Sequence, residues 1–262
     1  TYTTVLDAAG NWSVGVPASV ISGLSDGSVT VTASVTDAAG NTGTGTHNVT
    51  VDTGLPSVSF NAICDDNVLN AVEKGQDLRV SGTSANLAEG TVVAVTLNGK
   101  NYTATTAADG TWSLTVPAAD LAGLGEANYT VTANVTDSVG NSASATHDVL
   151  VDSSLPVVTI NTLAGDNIVN AAEVAAGQTL SGKVTNAAAG DTVTITLGGQ
   201  TFTATVQDDL TWSLPLTQSQ LTALGNGDLT VSATVTNGHG NTGTGEREIV
   251  IDASLPGLRV RS

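Results

Sequence analysis

Three stretches carry the residues best suited to chemistry in this chain: TDAAGN at 36–41, TDSVGN at 136–141 and TNGHGN at 236–241. Each offers carboxylate or amide oxygens. A second set of oxygens recurs in VDTGLP, VDSSLP and IDASLP, which hold Asp52, Asp152 and Asp252, and a third in DDNVLNAVEKG at 65–75 and GDNIVNAAEVAAG at 165–177. Carboxylates gathered at one place repel unless a cation lies among them. Calcium suits such a group, because it takes about 6–8 oxygen ligands at roughly 2.3–2.6 Å in a forgiving geometry. No histidine or cysteine cluster suggests zinc, and magnesium asks for a tighter octahedron that usually keeps water. Asp, Asn and Gly are also common turn formers through side-chain bonds to their own backbone. Both readings of these letters stand at this point.

Nucleophilic and acid–base chemistry has weaker candidates. His47 and His147 recur in corresponding strands, but Arg247 takes the third position, which favours structural roles. His239 is a lone loop histidine. Glu73 and Glu173 occupy repeated places about a sandwich length apart, whereas a two-carboxylate glycosidase needs its acids within roughly 5–10 Å. The many Ser and Thr residues suit exposed strand faces and supply no Ser-His-Asp order. Cys64, the one cysteine, stands near the repeat position of Leu163 and reads as a small packed hydrophobe. No intrachain disulfide is possible, and the redox compartment stays open. The sequence therefore points away from an enzyme.

The elements that must position these residues are constrained by composition. In 262 residues, seven Lys and Arg against 24 Asp and Glu give a net charge of -17, which a phosphate backbone would repel. Nucleic acid is excluded as a natural partner. Aromatics are only 3% of the chain, so its cores must rest on Val, Leu, Ile and Ala, an arrangement that fits several modest cores better than one large one. No long apolar span predicts membrane insertion.

A period of 100 residues runs through the chain, marked by Trp12, Trp112 and Trp212, by Asp52, Asp152 and Asp252, and by Pro56, Pro156 and Pro256. A repeat of that length is a domain in size. It predicts an incomplete unit at 1–52, complete units at 53–152 and 153–252, and the start of a further one at 253–262. The first is expected to begin after three strands of its unit and to hold about four. Within 53–152, alternating apolar residues mark strands near 58–60, 78–82, 92–97, 101–106, 111–116, 129–136 and 142–151. Asn98-Gly99 and Asp109-Gly110 close hairpin turns, and PAADLAGL at 117–124 predicts a short helical turn. Seven strands in 100 residues favour a two-sheet sandwich with an immunoglobulin-like arrangement. The fold class expected is all-β: tandem seven-stranded sandwiches in an extended array.

Antiparallel strands put alternate loops at alternate ends. The loops with Asn86 and Glu89, with Asp109, and with Asp137 and Asn141 then share one end with the entering linker and Asp52. The loop holding Asp65, Asp66, Asn67 and Glu73 lies at the other end, facing Asp152 and the next unit's Asn186, Asp191, Asp209, Asn237 and Asn241. Sequence order thus predicts acidic joints between units.

VDTGLPSVSFNAICDDNVLNAVE, LNGKNYTATTAADGTWSLTVPAADLAGL and YTVTANVTDSVGN resemble the bacterial Ig-like repeats of giant adhesins and biofilm-associated proteins, which are typically exported by type I secretion. The resemblance covers nearly the whole chain, with its marks in order. It implies stalk repeats of a bacterial surface or secreted adhesin, extracellular or on the cell surface, serving cell adhesion and biofilm formation. Host-surface or biofilm-matrix components would be met through the parent protein. It further implies calcium at the joints, with Asp52, Asp109 and Asp137 at one, Asp152, Asp209 and Asn237 at the next, and Asp66 or Asp166 contributing from the preceding face. Asn237, standing where Asp37 and Asp137 stand, would supply a neutral oxygen. The alternative is a carbohydrate-binding or spacer module of a secreted enzyme.

Overall fold

The computed structural model describes residues 1–254. The expected start of a further repeat at 253–262 lies largely outside them.

Alternating apolar residues decide where strands form, and the same pattern appears twice over. Strands β3 (Ser57–Phe60), β5 (Leu78–Ala85) and β8 (Thr111–Val116) make one sheet. The facing sheet has the order β4 (Val68–Leu69), β10 (Ser142–Val151), β9 (Ala127–Thr136), β6 (Val92–Leu97) and β7 (Lys100–Thr105). Val93, Val95, Leu97, Val131, Ala133 and Val135 turn one way from this sheet and meet Val80, Trp112, Leu114 and Val116 from the other.

The next unit repeats the plan. Its sheets are β11 (Val157–Ile160), β13 (Gln178–Thr185) and β16 (Thr211–Leu216), and β12 (Ile168–Asn170), β18 (Thr242–Asp252), β17 (Gly227–Thr236), β14 (Thr192–Leu197) and β15 (Gln200–Thr205). Its core is a separate cluster around Trp212, Ile195 and Leu221.

Each sandwich has the expected seven strands and one more. β4 and β12 are two or three residues long and pair parallel to the last strand of their unit. So short a segment shows no alternation to read. Each is followed by a helical turn, α2 (Ala71–Lys74) and α4 (Ala171–Ala176), where Asn70 and Asn170 close capping boxes with Glu73 and Glu173. The helical turn expected within 117–124 is α3 (Ala118–Leu121), and α5 (Gln218–Leu224) is its counterpart.

The first stretch departs from expectation. It holds α1 (Ala18–Ile21) and two strands, β1 (Gly27–Thr36) and β2 (Thr42–Val51), in place of about four. The reason is pairing. In the complete unit the counterparts of its opening segments, β7 and β8, are held by β6 and β5, whereas among the described residues nothing pairs with those opening segments. Trp12, Val31, Val35 and Val49, whose equivalents are core residues, are consequently exposed. Among the described residues no helix is long and apolar enough to cross a membrane.

Candidate functional site

Loops fall at alternate ends as strand order demands, so the linkers are ringed by loops distant in sequence. Entering the first sandwich, the Asn86 amide donates to the Leu55 carbonyl at 2.9 Å and the Asn141 amide to the Asp52 carbonyl at 3.3 Å. Entering the second, Asn186 donates to the Leu155 carbonyl at 3.0 Å and Asn241 to the Asp152 carbonyl at 2.8 Å. At the exit end, Asp26 accepts from the Thr53 amide at 2.8 Å, and Glu126 accepts from the Ser153 amide at 2.9 Å and its hydroxyl at 2.6 Å. These loops hold the chain where one unit passes into the next.

Of the eight residues expected to bind calcium, all but Asp152 serve first as turn closers. Asp137 Oδ1 accepts from the amides of Val139, Gly140 and Asn141 at 2.8–3.0 Å, and its Oδ2 from the Asn141 side chain at 2.8 Å. Asp109 and Asp209 each take the amide and hydroxyl of the threonine two residues on. Asp66 and Asp166 accept from the amides of Val68 and Ile168, both at 2.9 Å. Asp52 accepts from Gly54 at 3.1 Å. Asn237 Oδ1 accepts from the amides of His239 and Asn241, while its own amide donates to the Asn186 carbonyl at 3.1 Å. Asp152 Oδ2 accepts from His239 Nδ1 at 2.5 Å.

These bonds set the electrostatics. The Thr111 hydroxyl and amide hold Asp109 below the ordinary carboxylate range, and Thr211 does the same for Asp209. For Asp137 partial desolvation pushes the pKa up, but the combined donors at Asn141, Val139 and Gly140 bring it below the usual value. Each of these carboxylates but that of Asp152 is satisfied inside its own loop. Among the described residues no three His, Cys, Asp or Glu side chains come together to hold a metal ion. The donors at Asp152 therefore do not fit a calcium shell as they stand: its carboxylate faces a histidine, and Asn237 has both ends engaged.

Sequence reasoning missed the contact that does form between the sandwiches. The Asn241 side chain, only 1% exposed, accepts from the Ala71 amide of α2 at 2.8 Å while donating to Asp152. The signal lay in the capping box. Asn70 satisfies the amides of Val72 and Glu73, and Glu73 that of Asn70, leaving the Ala71 amide over.

The remaining candidates are structural. His147 Nε2 donates to Asn67 Oδ1 at 2.6 Å and its ring lies 5.7 Å from that of Phe60. Arg247, in its place, donates to the Ile160 carbonyl at 2.7 Å. Cys64 falls opposite Ala164, both with φ of 53°, and Ile63 is the true counterpart of Leu163. Burial first, then Glu73, Asp66 and Asp65, push its thiol up to about 12.

Sheets of this order, capped at both ends by linker-holding loops and repeated head to tail, define a chain of tandem immunoglobulin-like sandwiches. The bacterial Ig-like domain model matches residues 1–53 and 72–153, and the chain belongs to that family. It is similar, at 32% identity and a TM-score of 0.53, to a structure bearing on host cell surface retention of a 1.5-MDa bacterial ice-binding adhesin, covering 97% of this chain and 83% of that one. A Ca2+-stabilised adhesin that helps an Antarctic bacterium reach out and bind ice is 33% identical with the same TM-score; the match covers 97% of this chain and 63% of that one. No curated protein matches the sequence.

Proposed function

We propose that the chain is a run of stalk repeats in a bacterial surface or secreted adhesin, extracellular in location and structural in role. Its units divide at 52/53, 152/153 and 252/253. The observation that carries this reading is the likeness to adhesin structures over 97% of the chain at 32–33% identity. Such repeats supply reach, and the parent protein would meet its surface or biofilm matrix elsewhere.

Calcium stiffening is the finer part of the proposal, and it belongs to the Asp52 joint. A Cβ added at Gly54 there would lie 3.3 Å from Asp52 Oδ1 and 4.0 Å from Asp26 Oδ2, and Asp137 lies in the loop whose Asn141 holds the linker. Among the described residues neither salt bridge reaches these three carboxylates. One similar structure is of a Ca2+-stabilised adhesin, and a net charge of -17 draws divalent cations.

Small-angle scattering of the whole chain in EDTA and in millimolar calcium tests the reading. A rod-like profile whose flexibility falls with calcium is expected. A profile of freely hinged beads in both buffers would overturn the stalk, and a stiff profile indifferent to calcium would overturn the calcium part alone.

A further inference from the structure

The joint at Asp152 is built differently from the joint at Asp52, and the difference lies in protein groups. His239 stands where the first sandwich has Val139, and Asn237 where it has Asp137. The substitutions act together. With a neutral residue at 237 the loop loses one anion, and His239 Nδ1 turns onto Asp152 Oδ2 at 2.5 Å. Asn241, two residues on, is buried and bridges Asp152 to the Ala71 amide. Gly240, between them, has φ of 80° and passes so near α2 that a Cβ there would lie 3.2 Å from Asn70 Nδ2. The loop touches the linker at two atoms of Asp152 and the preceding sandwich at a third point.

The linker is fixed from its other side as well. Lys74 Nζ, on α2, donates to the Leu124 carbonyl at 2.6 Å and to Ser153 Oγ at 3.3 Å. Glu126 accepts from Ser153 through both carboxylate oxygens. Successive residues of the linker are therefore bonded by both sandwiches, Asp152 by His239 and Asn241 and Ser153 by Lys74 and Glu126, so that protein donors stand where a divalent ion would otherwise be needed. A buried, doubly bonded amide such as that of Asn241 is costly to expose unpaired, since each orphaned partner forfeits a hydrogen bond. Bending the joint would orphan the Ala71 amide and the Asn241 oxygen together.

We infer that the 237–241 loop is a protein-only clasp on Asp152 and α2, and that the joint between the two complete sandwiches is stiff without divalent cations. The inference goes beyond the stalk reading and stands whether or not the chain serves an adhesin. It implies that one array carries two kinds of joint.

The test is a pair of spin-label distances in the full chain with Cys64→Ala as background. Labels at Ser113→Cys and Ser213→Cys, both exposed on outer strand faces, report the Asp152 joint. Thr46→Cys and Ser113→Cys report the Asp52 joint. For the Asp152 pair, a narrow distance distribution in EDTA that calcium leaves unchanged is expected, broadening on H239A and again on N241A. Near-ultraviolet circular dichroism of the Trp112 and Trp212 cores confirms that both sandwiches remain folded in each variant. A broad distribution in EDTA that calcium narrows would overturn the clasp, as would N241A without broadening. The Asp52 pair reads calcium stiffening separately, so failure of one proposal is distinguishable from failure of the other.

Discussion

Gly82 lies directly across the sheet from Trp112, with Phe60 on its other side, and the indole covers the glycine to meet Phe60 edge-on at a centroid distance of 5.4 Å. A Cβ at Gly82 would fall 2.6 Å from Trp112 Cζ2 and 1.8 Å from the Ser59 carbonyl. Gly182 repeats the arrangement under Trp212. The largest core residue and the smallest are thus one device, which sets the depth to which the ring sinks between the sheets. Gly82→Ala should destabilise its sandwich by about 1–3 kcal/mol or more, as overpacking does. Gly110 would also crowd, at 2.5 Å from the Ser84 carbonyl, but Leu210 occupies the same place in the next unit with φ of 63°. The fold adjusts there. Chemical denaturation should accordingly rank Gly82→Ala as more damaging than Gly110→Ala, and the reverse order would refute the device.

Truncating the ring tests the independence of the two cores. Trp112→Ala should cost about 3–5 kcal/mol, and the clusters around Trp112 and Trp212 share no residue. Thermal unfolding should therefore show one transition moved and one retained. The two indoles also differ in their polar edge: Trp112 Nε1 donates to the Thr83 carbonyl at 3.3 Å, whereas Trp212 Nε1 is buried without a partner. Trp212→Phe should be the milder of the two Trp-to-Phe changes, by about 1 kcal/mol.

Legibility in the sequence followed the range of the interactions. Strands 92–97 and 100–105 were readable because Asn98 and Gly99, at φ of 48° and 76°, supply a left-handed turn between alternating residues. The ends to which the acidic loops go followed from strand order alone. The role of Asn241 did not, because its partner Ala71 is 170 residues away and is a backbone amide, which no side-chain pattern advertises. Trp12 misled in the opposite direction: its period matches Trp112, but among the described residues no strand pairs beside it and it is exposed. Local letters specify a strand only when a neighbour exists to pair with it.

Cys64 should be nearly inert to alkylation in the native protein. Its pKa, raised to about 12 by burial and by three nearby carboxylates, leaves little thiolate at neutral pH. Modification by an uncharged maleimide or iodoacetamide should be slow in buffer and should accelerate sharply in denaturant. Rapid native labelling at neutral pH would contradict the environment described for the 61–67 loop.

The Asp137 turn predicts a particular response to acid. Its carboxylate is held below the ordinary value of 3.8 by hydrogen bonds that outweigh its desolvation. A carboxylate with a depressed folded pKa contributes stability that is present above its unfolded pKa and is lost as pH falls through the folded one. Asp137→Asn keeps an acceptor for the backbone amides, as Asn237 does, but has no charge to lose and cannot accept from Asn141 through both oxygens. The variant should be less stable than the parent chain near neutrality, and the gap should narrow progressively below pH 3.8. Asp137→Ala, with no acceptor, should remain the less stable of the two variants throughout. Urea midpoints measured across acid pH supply the comparison, and a gap between parent and Asp137→Asn that widened in acid would show that the charge at this turn opposes folding.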